Sequence, residues 1–333
     1  MEITERNINV VTVTYGDRWE YLREIINRVC SFDEVTSVII VDNNSSYSVK
    51  EYVKGEFDKF SERIIVISSE VNLGSAGGFK KGIERSLQEK GSLVWLLDDD
   101  NLPSENSIEH LKEAAYKLEN QDNYILCLYR KDWKELLKNK GQKLNMNSFF
   151  QFSIVSKIKK LMSKYSNKQN IKKDEFEVSD LLNLDYAPYG GLIFPKEIVS
   201  EIGLPNEDFY LYVDDTEFTY RMTKSGYKIY CVVNSTITDL ESSWFRKKHE
   251  PMFLSFFKTE HSYRGLMNIR NRVYFEKKYN TQSSIIYFAN MVTYLVFVLF
   301  IYMPKNKNGF KKYLSIIKSI RQGYEGKLGK DIR

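Results

Sequence analysis

The sequence predicts an α/β fold built on a mainly parallel sheet, and three observations carry that expectation. Apolar, β-branched runs open near Ile8, Val35, Arg63 and Ser92, recurring about every 27 to 29 residues, which is the spacing of strand–helix–strand units. Between them, apolar side chains recur at helical period. The runs themselves are apolar at nearly every position, as strands covered on both faces must be.

The first strand is expected over Ile8-Asn9-Val10-Val11-Thr12-Val13-Thr14, and Trp19, Leu22, Ile25, Ile26 and Val29 mark one face of the helix after it. The second runs over Val35–Val41 and the third over Arg63–Ile67. Phe79, Ile83 and Leu87 then mark a second helix, which Gly91 is expected to stop. The fourth strand ends in Leu93-Val94-Trp95-Leu96-Leu97.

In such sheets ligands bind at the carboxyl ends of the strands, and each end here carries a polar cluster. Thr14-Tyr15-Gly16-Asp17 follows the first strand and Asp42-Asn43-Asn44-Ser45-Ser46 the second. Asn72-Leu73-Gly74-Ser75-Ala76-Gly77-Gly78-Phe79 follows the third; its small residues let backbone N–H groups approach an anion at a helix start. It is neither a dinucleotide fingerprint nor a P-loop, because no Gly-Lys-Ser/Thr follows.

The fourth strand ends in Asp98-Asp99-Asp100. In extended chain, residues i and i+2 share a side, so Asp98 and Asp100 converge and Asp99 faces away. Two carboxylates ~4 Å apart repel by about 4 kcal/mol at an effective dielectric near 20, and a hard divalent cation such as Mn²⁺ or Mg²⁺ would offset that. The plain alternative is an acidic loop capping the helix that begins near Pro103-Ser104.

These motifs, in this order and spacing, resemble family 2 glycosyltransferases with the GT-A fold, over residues 8 to 245. The Asn-x-Gly-x-Ala-Gly-Gly-Phe loop and the full Asp triplet are most similar to bacterial galactofuranosyltransferases, with rhamnosyltransferases close behind. The resemblance implies a nucleotide-sugar site of Thr14, Tyr15, Asp42, Asn72, Gly77, Gly78, Asp98 and Asp99. Asp42 would meet the base or ribose, Asn72 would help seat the nucleotide, and Asp98 with Asp100 would hold the metal of the diphosphate. Where the family commonly places a metal-binding His, this chain has Thr238-Asp239-Leu240-Glu241, so Asp239 is the expected oxygen ligand, with water or Glu241 as alternatives. None of His110, His249 and His261 falls there.

In the second half, Tyr186-Ala187-Pro188-Tyr189-Gly190-Gly191-Leu192-Ile193-Phe194-Pro195 reads as a glycine-bent loop entering a strand. A short helix is expected from Asp214-Asp215-Thr216-Glu217, ended by Gly226; acids at its start are favourable by ~0.3–1 kcal/mol on dipole grounds alone, so capping is the structural alternative. Inverting sugar transfer needs a base for the acceptor hydroxyl. The family's Asp-Asp-x-Glu stretch puts that base on Asp215, with Asp214 second and Glu217 a structural partner.

Three widely spaced cysteines, Cys30, Cys127 and Cys231, read as reduced core residues, and the charged Met1–Asn7 segment does not read as a signal peptide. Residues 1–245 are expected to form the GT-A domain, with a nucleotide half to 120, an acceptor half from 121 and an insertion at 130–178 that carries the basic amphipathic stretch Lys157–Lys164. Residues 246–333 are expected to form a helical extension, including a segment from His261 to Phe275 that resembles the Arg/Asn-rich stretch after the catalytic domain in such enzymes. Ser283 to Met303 contains no charged residue, enough to cross ~30 Å of hydrocarbon. From Lys305 onward, nine Lys/Arg face two acids, a local +7 against +5 for the whole chain. That asymmetry favours anionic lipid and excludes a nucleic-acid partner, since no aromatic–basic module is visible. A single span would put the tail opposite the catalytic domain, so a helix lying in or dipping into the inner leaflet is expected, with a homo-oligomer interface as the alternative.

The sequence is therefore expected to encode an inverting glycosyltransferase on the cytoplasmic side of the cell membrane. It would move galactofuranose or rhamnose from a nucleotide-sugar donor to a lipid-linked or growing glycan of a capsule or cell wall. The rivals are a sugar nucleotidyltransferase, disfavoured because Thr14–Asp17 lacks a basic glycine loop, and a non-catalytic glycan-binding scaffold.

Overall fold

The computed structural model describes residues 1–131, 133–166, 180–241, 252–258, 263–306 and 308–332. The expected domain boundary at 245/246, much of the 130–178 insertion beyond residue 166, and His249 and His261 lie outside the described residues. The chain divides into two compact units: Met1–Lys143, Val178–Tyr210 and Asp214–Arg246 form the first, and Leu144–Glu177, Leu211–Val213 and Lys247–Arg333 the second.

The first unit opens with β1 (Ile8–Gly16), α1 (Trp19–Cys30), β2 (Val35–Ser45), α2 (Val49–Glu56), β3 (Ile64–Ser69), α3 (Gly74–Ser86) and β4 (Leu93–Asp98). It continues with β5 (Asn101–Pro103), α4 (Ser107–Lys117), β6 (Tyr124–Arg130), α5 (Lys134–Lys138) and β7 (Gly141–Gln142). In the second unit lies α6 (Ile154–Ser166); the chain then returns to the first with β8 (Leu181–Leu184), β9 (Leu192–Pro195), α7 (Ile198–Ile202), α8 (Asp214–Lys224) and β10 (Lys228–Asp239). The remaining helices are α9 (Met252–Lys258), α10 (Tyr263–Phe275), α11 (Ser284–Phe297) and α12 (Gly309–Glu325).

Among the described residues these strands make one ten-stranded sheet in the order β3-β2-β1-β4-β9-β6-β10-β8-β7, with β5 on β10. The four strands expected from the apolar runs pair in parallel, and the sheet turns mixed where β9 runs antiparallel between β4 and β6. Alternate residues feed two cores: Val10, Val38 and Trp95 join one with Leu22 and Leu111, while Val11, Ile39 and Val94 join the other with Phe79, Phe194 and Phe218. Burial on both faces explains why the strands read as unbroken apolar runs.

One boundary differs from expectation. The α3 helix ends at Ser86, capped by Leu87 in right-handed conformation, so Gly91 does not stop it. Gly91 is instead excluded from having a side chain by Asn9, whose Oδ1 would lie 2.7 Å from a Cβ there. Asn9 is fully buried on β1 and donates to the carbonyls of Gly91 and Ser86, tying the end of α3 to the sheet.

The second unit has its own core of Phe149, Phe253, Phe256, Phe257, Ile269, Val273, Tyr287, Met291, Leu295 and Val298. Two of its buried polar groups sit in dense hydrogen-bond sets. Glu276, with no exposed surface, accepts from Arg272 Nε (3.0 Å), the Phe150 N–H (2.9 Å) and Tyr287 Oη (3.2 Å). Asn290 on α11 accepts from the Ile154 N–H (2.9 Å) and donates to the Asn147 carbonyl (2.8 Å). All three cysteines are buried and free; Cys127 and Cys231 face each other across β6 and β10.

Candidate active site

Strand register brings the polar ends to one edge of the first unit. Thr14 pairs with Asp42 across β1 and β2, and Val13 with Asp98 across β1 and β4. Asp239 pairs with Asn101 across β10 and β5, and Arg130 ends β6 beside Ile237 of β10. Thr14 and Asp42 are buried, and Tyr15 is exposed beneath the Arg18 guanidinium, 5.4 Å from its ring centre. Asp42 accepts from the Ser45 N–H at 2.9 Å, which closes the turn after β2.

Gly77 and Gly78 have a packing reason independent of any ligand. A Cβ on Gly78 would lie 2.6 Å from Val13 Cγ1, so its absence lets α3 press onto β1; one on Gly77 would lie 2.8 Å from Leu73 Cβ, so its absence makes room for Leu73 at the start of α3. Asn72 is likewise committed within its own loop, where its Oδ1 accepts from the Gly74 N–H at 2.8 Å. Asn43 completes the clamp: it accepts from the Leu73 N–H (2.8 Å) and donates to the Gly74 carbonyl (3.0 Å). Gly74, at φ +72°, leaves no room for a side chain because a Cβ would meet the Tyr210 carbonyl oxygen at 2.0 Å.

β4 ends at Asp98, and Asp99 and Asp100 lie in the turn after it, not in the extended chain that was expected. Asp99 turns inward and is buried, held by Arg18 through Nη2 at 2.8 Å and Nε at 2.8–2.9 Å. Asp98 retains 44% of its side-chain surface yet has protein around it; Asp100 is 16% exposed. Burial first, then repulsion from Asp99, Asp239 and Asp215, pushes Asp98 up to about 6 against the pull of Arg130. Burial and Asp98 together push Asp100 up to about 6, and burial does the same to Asp99 in spite of Arg18.

Sequence reasoning missed the two guanidiniums. Arg130 donates to Asp239 Oδ1 at 2.6 Å and Asn101 Oδ1 at 2.8 Å, and its Nη2 lies 3.4 Å from Asp98. Arg18 binds Asp99 and Glu241 (2.6 Å), and its Nη2 lies 3.4 Å from Asp100. Both lie at the edges of apolar runs, the same signal that singled out Asp98, but the carboxylates that hold them most tightly are 81 to 223 residues away. Buried Asn101 links the two groups, donating to Asp100 (3.1 Å) and Asp239 (3.0 Å).

At the start of α8, Asp214 is buried and accepts from Ser75 Oγ at 2.8 Å, while Asp215 is partly exposed and accepts from Thr216. Burial, then repulsion from Asp215, pushes Asp214 up to about 8 against the Ser75 hydrogen bond. Asp98 also raises Asp214, and Asp215 raises Asp98, so two acidic pairs over a hundred residues apart in sequence feel one another. Glu217 is buried against Arg221 at 3.0 Å. The buried Tyr189 hydroxyl has no hydrogen-bond partner among the described residues, and Asp214 and Asp215 both act on it.

The donor set suits a hard divalent cation, since every ligand candidate is a carboxylate oxygen. Five carboxylates (Asp98, Asp99, Asp100, Asp239 and Glu241) face two guanidiniums, an excess of three acidic groups over basic ones. Gly190 leaves a cradle beside them: a Cβ there would lie 2.9 Å from Asp98 Oδ2. Among the described residues, no three His, Cys, Asp or Glu side chains form a ready-made cage, so Asp239 does not close one with Asp98 and Asp100.

Residues 9–177 match the family model described as Glycosyl transferase family 2. The chain is 23% identical over 267 residues to Low-salt glycan biosynthesis hexosyltransferase Agl10 of Haloferax volcanii, covering 80% of this chain and 74% of that protein. It is also 23% identical over 218 residues to Galactofuranosyltransferase GlfT1 of Mycolicibacterium smegmatis, covering 65% of each, just under two thirds of that relative. A solved structure of GalNAc-T7 with UDP, GalNAc and Mn²⁺ superposes with a TM-score of 0.53 at 13% identity, over 82% of this chain and half of that one. The last likeness is one of fold.

Proposed function

Because the chain belongs to the family 2 glycosyltransferases, we propose that it transfers a hexose, with inversion, from a nucleoside-diphosphate donor to a hydroxyl of a glycan. The observation that carries this reading is geometric: Ser75 at the start of α3 donates to Asp214 at 2.8 Å, while Asn101 and Arg130 gather Asp98, Asp100 and Asp239 at the strand ends. The nucleoside side of the donor would lie toward Thr14, Tyr15 and Asp42, with the Asn72–Gly78 loop supporting it. Asp98 and Asp100 would hold a divalent cation, Mn²⁺ or Mg²⁺. Such a cation offsets the charge of a departing diphosphate.

Asp215 is the base in this reading. Its carboxylate takes the acceptor O–H proton while that oxygen bonds the anomeric carbon and the bond to the diphosphate breaks. Asp215 is partly exposed, whereas Asp214 is buried and raised in pKa, which fits Asp214 as its neighbour rather than the proton acceptor. The names of the two relatives support a hexosyl donor, and that of GlfT1 a galactofuranosyl one; UDP-galactofuranose is the first donor to test and dTDP-rhamnose the second.

The acceptor is proposed to be a lipid-linked or growing surface glycan met at the cytoplasmic face of the membrane. Among the described residues one helix is long and apolar enough to cross a bilayer, Ser284–Tyr302. It is one-sided: Ile285, Phe288, Val292, Val296 and Phe300 are exposed at three- and four-residue spacing, while Tyr287, Asn290, Met291 and Leu295 are buried. A helix whose other face is already packed suits lying in the interface, and the exposed Val155, Ile158, Leu161 and Met162 among the lysines of α6 add to that surface.

The deciding experiment is transfer and donor hydrolysis across a panel of nucleotide sugars, with Mn²⁺, Mg²⁺ or EDTA. Mn²⁺-dependent turnover of one donor, lost in Asp215→Asn, supports the reading. Turnover undiminished by EDTA removes the metal, and wild-type turnover in Asp215→Asn removes the base.

A further inference from the structure

We propose that Asp239 is a positioning residue rather than a metal ligand: it anchors Arg130, which steadies Asp98, as Asp99 anchors Arg18 for Asp100. This rests on the reading of Asp98 and Asp100 as the metal-holding pair.

The distances carry the inference. Arg130 sits 2.6 Å from Asp239 but 3.4 Å from Asp98. Arg18 sits 2.8 Å from Asp99 but 3.4 Å from Asp100. Charge-assisted N–H···O bonds run ~2.7–2.9 Å, so in each trio one carboxylate is tightly bound and the other is only approached. The tightly bound members are the enclosed ones, with side chains 9% and 4% exposed; the approached members are the more open, at 44% and 16%. A ligand needs free lone pairs and access, and an anchor needs neither. Asp239 Oδ1 is further occupied by Asn101 Nδ2 at 3.0 Å, while Asn101 Oδ1 accepts from Arg130. Asn101 therefore holds both trios in one frame, because its Nδ2 also reaches Asp100.

Each metal-facing carboxylate thus keeps a guanidinium at 3.4 Å, held there by its anchor. Removing an outer partner of this kind typically weakens metal affinity by about 10–100-fold.

The test uses the full-length chain with Mn²⁺ and no donor. Binding is read from the electron paramagnetic resonance signal of free aquo-Mn²⁺, and inner-sphere waters from broadening in H₂¹⁷O. Asp98→Asn is expected to lose affinity by at least a hundredfold. Asp239→Asn is expected to lose about tenfold with an unchanged water count. Arg130→Gln and the double variant Asp239→Asn/Arg130→Gln should bind equally, because the two residues act in series. An added inner-sphere water in Asp239→Asn, or losses that multiply in the double variant, would make Asp239 a ligand and overturn the inference. If Arg130→Gln fails to fold by circular dichroism, the water count in Asp239→Asn decides alone. Wild-type binding by Asp98→Asn removes the metal reading itself, and this inference with it.

Discussion

Replacing Gly190 by alanine tests the polar frame with a single methyl group. The added Cβ would lie 2.0 Å from Asn101 Oδ1, 2.4 Å from Arg130 Nη2 and 2.9 Å from Asp98 Oδ2. The sign depends on whether those atoms can yield. Asn101 is 1% exposed and fastened to Asp100, Asp239 and Arg130, so it has nowhere to move without breaking charged hydrogen bonds. Overpacking costs about 1–3 kcal/mol, and loss of one hydrogen bond to a charged group about 1.5–3 kcal/mol, so a destabilisation of about 2.5–6 kcal/mol is expected. Urea denaturation followed by tryptophan fluorescence measures it, with Mn²⁺ titration of the folded fraction in parallel. Gly55→Ala on α2 is the control, since a Cβ there meets nothing within 4 Å and should be neutral or slightly stabilising. A Gly190→Ala variant with the denaturation midpoint and Mn²⁺ affinity of the parent would refute the idea that this frame is locked.

Asp215→Asn should lower kcat by about 10²–10⁴-fold while donor affinity, measured by calorimetry with the nucleoside diphosphate, stays near the parent value. Asp214 carries a pH signature. Its folded pKa is raised to about 8, so its contribution to stability is full below the ordinary carboxyl range and is lost as pH rises toward 8. Asp214→Asn, which keeps an acceptor for Ser75, should therefore melt higher than the parent at pH 8, with the gap shrinking at pH 5; a gap independent of pH would contradict the assignment. Phe288→Glu with Phe300→Glu places charge on the exposed stripe of the Ser284–Tyr302 helix and should abolish flotation with anionic vesicles; undiminished flotation would exclude that face as the contact.

The parallel half of the fold was readable because each of its strands is buried on both faces and so must be apolar throughout. Register then did the rest, carrying Thr14, Asp42 and Asp98 to one edge. The β9 strand was visible only as a strand, not as an antiparallel one between β4 and β6, because pairing direction leaves no mark in four residues. Gly91 was misread as a helix stop since a glycine kept out by Asn9 and a glycine cap look alike in sequence. Arg18 and Arg130 went unseen for a different reason. A lone arginine at a strand or helix edge usually faces solvent, and only tertiary contact with Asp99 and Asp239 gives these two their meaning. The carboxylates were conspicuous because three in a row are costly; their compensation was dispersed and therefore silent.

The place of β9 in the sheet bears on how the molecule is made. During synthesis the chain emerges from its amino end, and the Asp triplet is complete by residue 100. The strand that separates β4 from β6 arrives only with Leu192–Pro195, and Asp239, which ties Arg130 and Asn101 together, arrives last of all on β10. Until some 240 residues have left the ribosome, the row of acids has Arg18 beside Asp99 and Asp100 but lacks the Asp239 that ties Arg130 and Asn101 to Asp98. A cut of the gene after the apparent nucleotide-binding half would freeze it in that state. The amino-terminal half is thus not a portable module, and fusions or fragments of this protein should be drawn beyond β10.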